Sequence, residues 1–194
     1  MVGDSSIHWA AHRAILRPEG GNLGLEHHQI QLTWKGVRGA KLEDFPQLLS
    51  SYVNRGRAAP HMIIIHMGTN DFIHTPLARM FALVQNAMSA CVRLLPHTHL
   101  VWSDIVQRPF YFMARDQGEA RRCRRQVNRY ATNHFMARGG YAIHHELIDG
   151  DNHNLFHYDC LHLSDLGTDL FLNNLKGALE SFSLDHNLHE FPIH

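Results

Sequence analysis

Apolar positions recur along this chain with two distinct periods. Over residues 6–16, Ile7, Ala10, Ala11, Ala14 and Ile15 fall on one side of a helix, which Pro18 and the run Gly20-Gly21-Asn22-Leu23-Gly24 bring to an end. Residues 29–34 alternate instead, with Ile30, Leu32 and Trp34 on one side, and predict a short strand. Leu42, Phe45, Leu48, Leu49 and Tyr52 return to the helical period, with Pro46 in the first turn, where a missing N–H costs little. Asn54-Arg55-Gly56-Arg57 reads as a loop. The stretch 61–67 is apolar without alternation, as expected of a parallel strand covered on both faces. Met80, Phe81, Leu83, Val84, Ala87, Met88, Cys91, Val92 and Leu95 predict a helix with a broad apolar face between Pro76 and Pro96. A strand is expected over 99–105, then a helix carrying Ala120, Cys123, Val127, Tyr130, Ala131 and Phe135, then a last strand over 141–144. Ser164 caps a final helix with Leu166, Leu170, Phe171, Leu175, Ala178, Leu179 and Phe182 inward. Met1-Val2 is too short to predict a strand on its own, and 183–194 carries no regular pattern.

Strand and helix alternate throughout, which implies an α/β fold with a parallel sheet between two layers of helices. Right-handed crossovers then put all the strand C-terminal ends on one edge. Polar groups suited to chemistry fall in the segments that reach this edge: Ser5, Gly39, Asn70, Asp159 and His162. Asp159 stands three residues before His162, on a loop ahead of a helix, where a carboxylate can back an imidazole and steady the charge it acquires with a proton. Such a pair needs a group to deprotonate, and Ser5 is the candidate. Ser5 or Ser6 is equally suited to be a plain N-cap, but the same helix end offers N–H groups and a positive dipole to whatever Ser5 attacks. Asn70, in Gly68-Thr69-Asn70-Asp71, is a turn former or a donor to a developing oxyanion. Gly36 and Gly39 mark a tight turn where backbone can approach another group. The expectation is that the two ends of the chain meet, with His162 activating Ser5 towards an ester or amide carbonyl.

Composition narrows the alternatives. Lys+Arg and Asp+Glu both total 18, so no overall basic field attracts nucleic acid or an acidic membrane. The run Arg121-Arg122-Cys123-Arg124-Arg125 is a nucleic-acid patch or the solvated face of an amphipathic helix, and few aromatics accompany it for stacking on bases. Arg108-Pro109-Phe110-Tyr111-Phe112-Met113 lines an acyl pocket, touches a membrane surface or packs under a helix. His144, His145, His153 and His157 crowd one long polar loop, but their spacing matches no zinc pattern, so no metal site is expected there. Three cysteines, odd in number and far apart, suggest a reducing intracellular, cytoplasmic setting. No apolar run approaches the ~20 residues of a membrane span, and Asp4, Ser5 and Ser6 interrupt any signal peptide at the start. The length predicts one domain over 1–183, followed by a tail over 184–194.

Gly3-Asp4-Ser5, Gly36-Val37-Arg38-Gly39, Gly68-Thr69-Asn70-Asp71 and Asp159-Cys160-Leu161-His162 resemble, in order and spacing, the four sequence blocks of the SGNH, or GDSL-type, hydrolases. The first block reads GDSS instead of GDSL, and only Met1-Val2 stand where that family has a strand leading to the serine. Residues further upstream are expected to complete that strand. The resemblance implies a flavodoxin-like α/β/α sandwich of about five strands in the order 2-1-3-4-5. It implies Ser5 as nucleophile, His162 as general base and acid, and Asp159 as its orienting partner. The oxyanion hole would be the Ser5 and Gly39 N–H groups with the Asn70 amide. It also implies hydrolysis of small acyl esters or lipid esters with no cofactor or metal. Gly20-Gly21-Asn22-Leu23-Gly24-Leu25, Trp102-Ser103-Asp104-Ile105, His162-Leu163-Ser164-Asp165-Leu166-Gly167 and Leu172-Asn173-Asn174-Leu175 further resemble the esterase domain of retrotransposon-encoded proteins. There, nucleic acid is bound by parts outside the domain. The alternative is a non-catalytic module of the same fold that binds lipid or RNA within a larger assembly.

Overall fold

A computed structural model of the chain describes all residues except 57, 73, 113, 186, 193 and 194. Arg57 of the loop, Met113 of the aromatic run, and His186, Ile193 and His194 of the tail therefore lie outside the described residues. The order of elements is β1 (Val2–Gly3), α1 (Ser5–Leu16), β2 (Lys35–Gly36), α2 (Phe45–Val53), β3 (Met62–His66), α3 (Leu77–Leu94), β4 (His99–Ser103), α4 (Gln117–Met136), β5 (Tyr141–Ile143), α5 (Asp165–Leu184) and β6 (Glu190–Phe191). Every pairing is parallel and the strands lie in the order β2-β1-β3-β4-β5-β6. This is the doubly covered α/β/α sandwich, extended by one strand.

The period of two along β3 and β4 decides which layer each side chain joins. Ile63 and Ile65, with Leu100 and Trp102, enter a core shared with α2, α3 and α4. Ile64 and Val101 point the other way, into a core built by α1 and α5. The strands are buried on both faces, which is why 61–67 carries no polar alternation. Most predicted helix faces hold, but Ile15, Val92 and Leu166 lie at the edges of their stripes and are exposed.

Three local expectations change. Residues 29–34 form no strand, because side chains claim their backbone groups. Asn22 Nδ2 donates to Ile30 O at 2.7 Å and Asn22 Oδ1 accepts from Leu32 N at 2.6 Å, while Trp34 Nε1 donates to Gly21 O at 2.7 Å. The second strand is Lys35–Gly36 instead. Val2–Gly3, too short to predict, is a strand because it has a neighbour on each side: Val2 registers with Lys35 and with Ile65. The stretch read as patternless contributes β6, with Ala142 N donating to His189 O at 2.8 Å and His144 N to Phe191 O at 2.7 Å. Among the described residues, no helix is long and apolar enough to cross a membrane.

Candidate active site

β1 lies between β2 and β3, so the turns that follow these three strands are neighbours on the C-terminal edge of the sheet. Ser5 opens α1 directly after β1 and is 7% exposed. It is not the cap. Asp4 takes that position, with Oδ1 accepting from Ser6 N at 2.9 Å and Oδ2 accepting from the Thr69 hydroxyl. The capping task is thus met by a neighbour. Ser5 holds the first helical position, where a backbone N–H has no intrahelical acceptor.

Gly39 follows β2 with φ +74°, a left-handed conformation that a side chain disfavours. Gly36 is required for a different reason. A Cβ there would stand 2.1 Å from His8 N, so only glycine lets β2 pass this close to the first turn of α1. Asn70 follows β3, and its Nδ2 donates to Ala40 O at 2.9 Å. This bond ties the third block to the second. An amide carries two N–H donors, so it leaves one for another acceptor. Behind it Asp71 is buried, which pushes its carboxyl up to about 6 despite a hydrogen bond from Leu42 N at 3.1 Å.

Asp159 and His162 sit on the loop between β5 and α5. The loop closes on itself through His157 N to His162 O at 2.8 Å, Cys160 N to His157 O at 2.9 Å and Ser164 N to Leu155 O at 2.9 Å. Cys160 pays for this tight turn with φ 53°, unusual for a residue with a side chain. Ser164 caps α5 as expected, accepting from Gly167 N at 3.2 Å. The turn aims Asp159 at the imidazole: Oδ2 is 2.8 Å from His162 Nδ1, while Oδ1 accepts from Leu161 N at 2.9 Å and His162 N at 3.0 Å. Burial opposes the charge on Asp159, but the bonds from His162 and Leu161 outweigh it and hold the carboxyl down at about 2. An ionised Asp159 keeps the proton on Nδ1 and leaves the Nε2 lone pair free to act as a base.

Packing of α5 on α1 carries this loop across the sheet. Arg13 pairs with Asp169 at 2.6 Å and with Asp165 at 3.1 Å, and Arg17 Nη2 donates to Asn173 Oδ1 at 2.6 Å. As a result the His162 ring meets the Trp9 ring edge-on at 6.5 Å. Trp9 lies one turn after Ser5, and the Arg38 guanidinium of the second block covers it at 5.5 Å. The structure therefore brings Asp159 and His162 into a hydrogen bond, sets His162 over the opening turns of α1, and joins Asn70 to the segment that follows Gly39. Among the described residues no hydrogen bond links the Ser5 hydroxyl to the His162 ring.

The sequence left several participants unassigned. Arg108 is 5% exposed, donates to Thr69 O at 3.3 Å and leaves Nε without a partner. Burial lowers its affinity for its proton, and the charges of Asp4, Tyr111 and Asp159 oppose that effect. Its run divides in the fold: Tyr111 is buried against Phe72, while Phe110 and Phe112 are exposed and meet edge-on at 5.2 Å. Only their spacing along the loop hinted at this, and spacing does not say which face a loop residue takes. Most of the arginine run is engaged with the protein. Arg121 pairs with Asp151 at 2.8 Å, Arg122 with Glu119 at 2.9 Å, and Arg124 donates to Ile105 O at 2.9 Å.

No protein-family model matches the chain, and no curated protein sequence does. Solved structures do match. A GDSL-like lipase from Bacteroides thetaiotaomicron superposes with a TM-score of 0.69 at 12% identity, covering 93% of this chain and 86% of that one. A family 3 carbohydrate esterase from Clostridium thermocellum superposes with a TM-score of 0.66 at 16% identity, over 94% of this chain and 96% of that one. A member of the lipolytic G-D-S-L family from Veillonella parvula gives a TM-score of 0.65 at 16% identity, with the same two coverages of 94% and 96%. These likenesses establish the fold.

Proposed function

We propose that this chain is a serine esterase that removes small acyl groups through an acyl-enzyme intermediate. The observation that carries the proposal is the Asp159–His162 pair at 2.8 Å, on a loop carried to the N-terminal end of the helix that Ser5 opens. In the proposed reaction, His162 Nε2 takes the Ser5 hydroxyl proton as Oγ attacks the carbonyl carbon, and Asp159 steadies the imidazolium. The oxyanion accepts from the Ser5 and Gly39 N–H groups and from the Asn70 N–H not spent on Ala40. The leaving alcohol takes the proton from His162, and water then repeats the sequence to release the acid. A hydroxyl and its base often draw within bonding distance only once substrate is bound. The solved structures of like fold include lipases and esterases, which supports the same chemistry here.

The test is turnover of p-nitrophenyl acetate by the purified chain beside Ser5→Ala, with a fluorophosphonate probe and peptide mass spectrometry. Turnover lost in the variant, with the probe on Ser5, is the expected result. Turnover that survives Ser5→Ala refutes the assignment. We further propose that the chain is the esterase domain of a retrotransposon-encoded polypeptide, on the strength of the motifs at 20–25, 102–105, 162–167 and 172–175. A full-length transcript whose reading frame continues into coiled-coil or nucleic-acid-binding segments is the expected finding. A frame confined to this domain would overturn it.

One observation favours a second role, contact with lipid. Phe110 and Phe112 are 44% and 48% exposed on the loop after β4. Flotation with phosphatidylcholine vesicles that is lost in Phe110→Ser with Phe112→Ser would support it.

A further inference from the structure

The 3₁₀ turn Leu25–His28 packs against α5. It borders a cleft formed with Met62, His99 and Tyr141, the first residues of β3, β4 and β5, so it lies at the edge of the sheet opposite Ser5. Here the turn brings His27 and His28 to Glu180 of α5, with one nitrogen or oxygen donor from each, all within 4.8 Å of one another. Successive side chains of a 3₁₀ turn diverge by about a third of a rotation. Yet the His27 and His28 rings lie 4.1 Å apart, centroid to centroid, so both are turned to the same side. His28 Nε2 stands 4.0 Å from Glu180 Oε1. That is too long for a hydrogen bond. Two donors each about 2 Å from a tetrahedral ion stand about 3.3 Å apart, so a small rotation of either side chain brings this pair to a shared ion. The His28 and Glu180 side chains are only 19% and 30% exposed, which limits their freedom to swing apart.

We propose that His27, His28 and Glu180 bind one zinc ion, which fastens the turn Leu25–His28 to α5. Two imidazole nitrogens and a carboxylate oxygen suit zinc better than calcium or magnesium, which prefer oxygen donors throughout. Both imidazoles coordinate in their neutral form, and a water completes a tetrahedral shell. Glu180 lies far along the chain from the two histidines, so no local spacing announces the site. The proposal is independent of the esterase reading.

The test is calorimetric titration of the tag-free chain with zinc chloride at neutral pH, beside Glu180→Gln and His28→Ala, with thermal unfolding recorded with and without the ion. The expected result is a zinc equivalent bound by the wild-type chain and bound at least about tenfold more weakly by each variant, since loss of a ligand should cost no less than loss of an outer-shell partner. Zinc should raise the unfolding midpoint of the wild type only, and magnesium should raise none. The zinc-free midpoints report whether each variant folds. If one does not, the exposed substitution His27→Asn supplies the same comparison. A wild-type midpoint unmoved by zinc, or wild-type affinity in the folded variants, overturns the proposal.

Discussion

Mild acid should destabilise this protein through two histidines that the fold holds neutral. Asn174 Nδ2 donates to His144 O at 2.6 Å and lies 3.0 Å from His145 Nδ1, which must therefore accept. The His145 proton then sits on Nε2 and points to Ser103 Oγ at 2.7 Å, and the Ser103 hydroxyl is left to donate to His66 Nδ1 at 3.0 Å. A second proton on His145 would set one donor against another. Burial lowers the His66 pKa, against the pull of Asp4, and it lowers the His145 pKa well below 6.5, helped by His66 and His144. The unfolded chain thus binds more protons than the folded one below pH 6.5, and stability falls as pH falls through that value. The slope is about 1.4 kcal/mol per pH unit for each pinned histidine. Between pH ~7.5 and ~5.5, His145 should cost about 1.4 kcal/mol and His66 up to the same again. His144 acts in the opposite sense. Its bond to Asp104 at 2.9 Å raises its pKa, so it stabilises the fold most below pH 6.5 and offsets part of the loss. Urea unfolding followed by tryptophan fluorescence at the two pH values measures the sum. His145→Gln removes one pinned imidazole and should reduce the pH-dependent loss by at least about half, whatever it does to absolute stability. A wild-type stability that is flat across this range, or an unchanged loss in the variant, would show that the network does not hold these rings neutral.

Other outcomes follow from the same geometry. Asp159→Asn should leave the fold intact and lower kcat by about 10⁴, since the amide N–H can donate to Nδ1, which puts the ring proton on Nε2 and removes the base, and a neutral amide no longer steadies the imidazolium charge; a steady-state assay checks it. Asn70→Ala should lower kcat by about 10²–10³ with little change in KM if its spare N–H meets the oxyanion. Gly36→Ala should cost about 3 kcal/mol or more by urea titration, because the atom 2.1 Å from its Cβ is backbone and cannot swing aside.

Much of this protein is legible in its residue order. Helix or strand is a matter of which positions are apolar, and that is written locally: 61–67 had to be a strand covered on both faces, and Ser164 had to start a helix. The Asp159–His162 bond is also local, since a turn of four residues sets both partners. What the sequence could not supply is whatever depends on a neighbour far along the chain. Val2–Gly3 and Glu190–Phe191 are strands only because other strands hold out hydrogen bonds to them. Nearer at hand, residues 29–34 look like a strand and are not one, because the Asn22 side chain, brought back by the turn between them, takes up Ile30 O and Leu32 N first. The approach of His162 to the opening turns of α1 is decided by Arg13 and Arg17 on α1 meeting Asp165, Asp169 and Asn173 on α5. Local periodicity reports the face that a segment must bury. Only the closed chain determines which partner buries it, and which polar groups are carried to the same edge as a result.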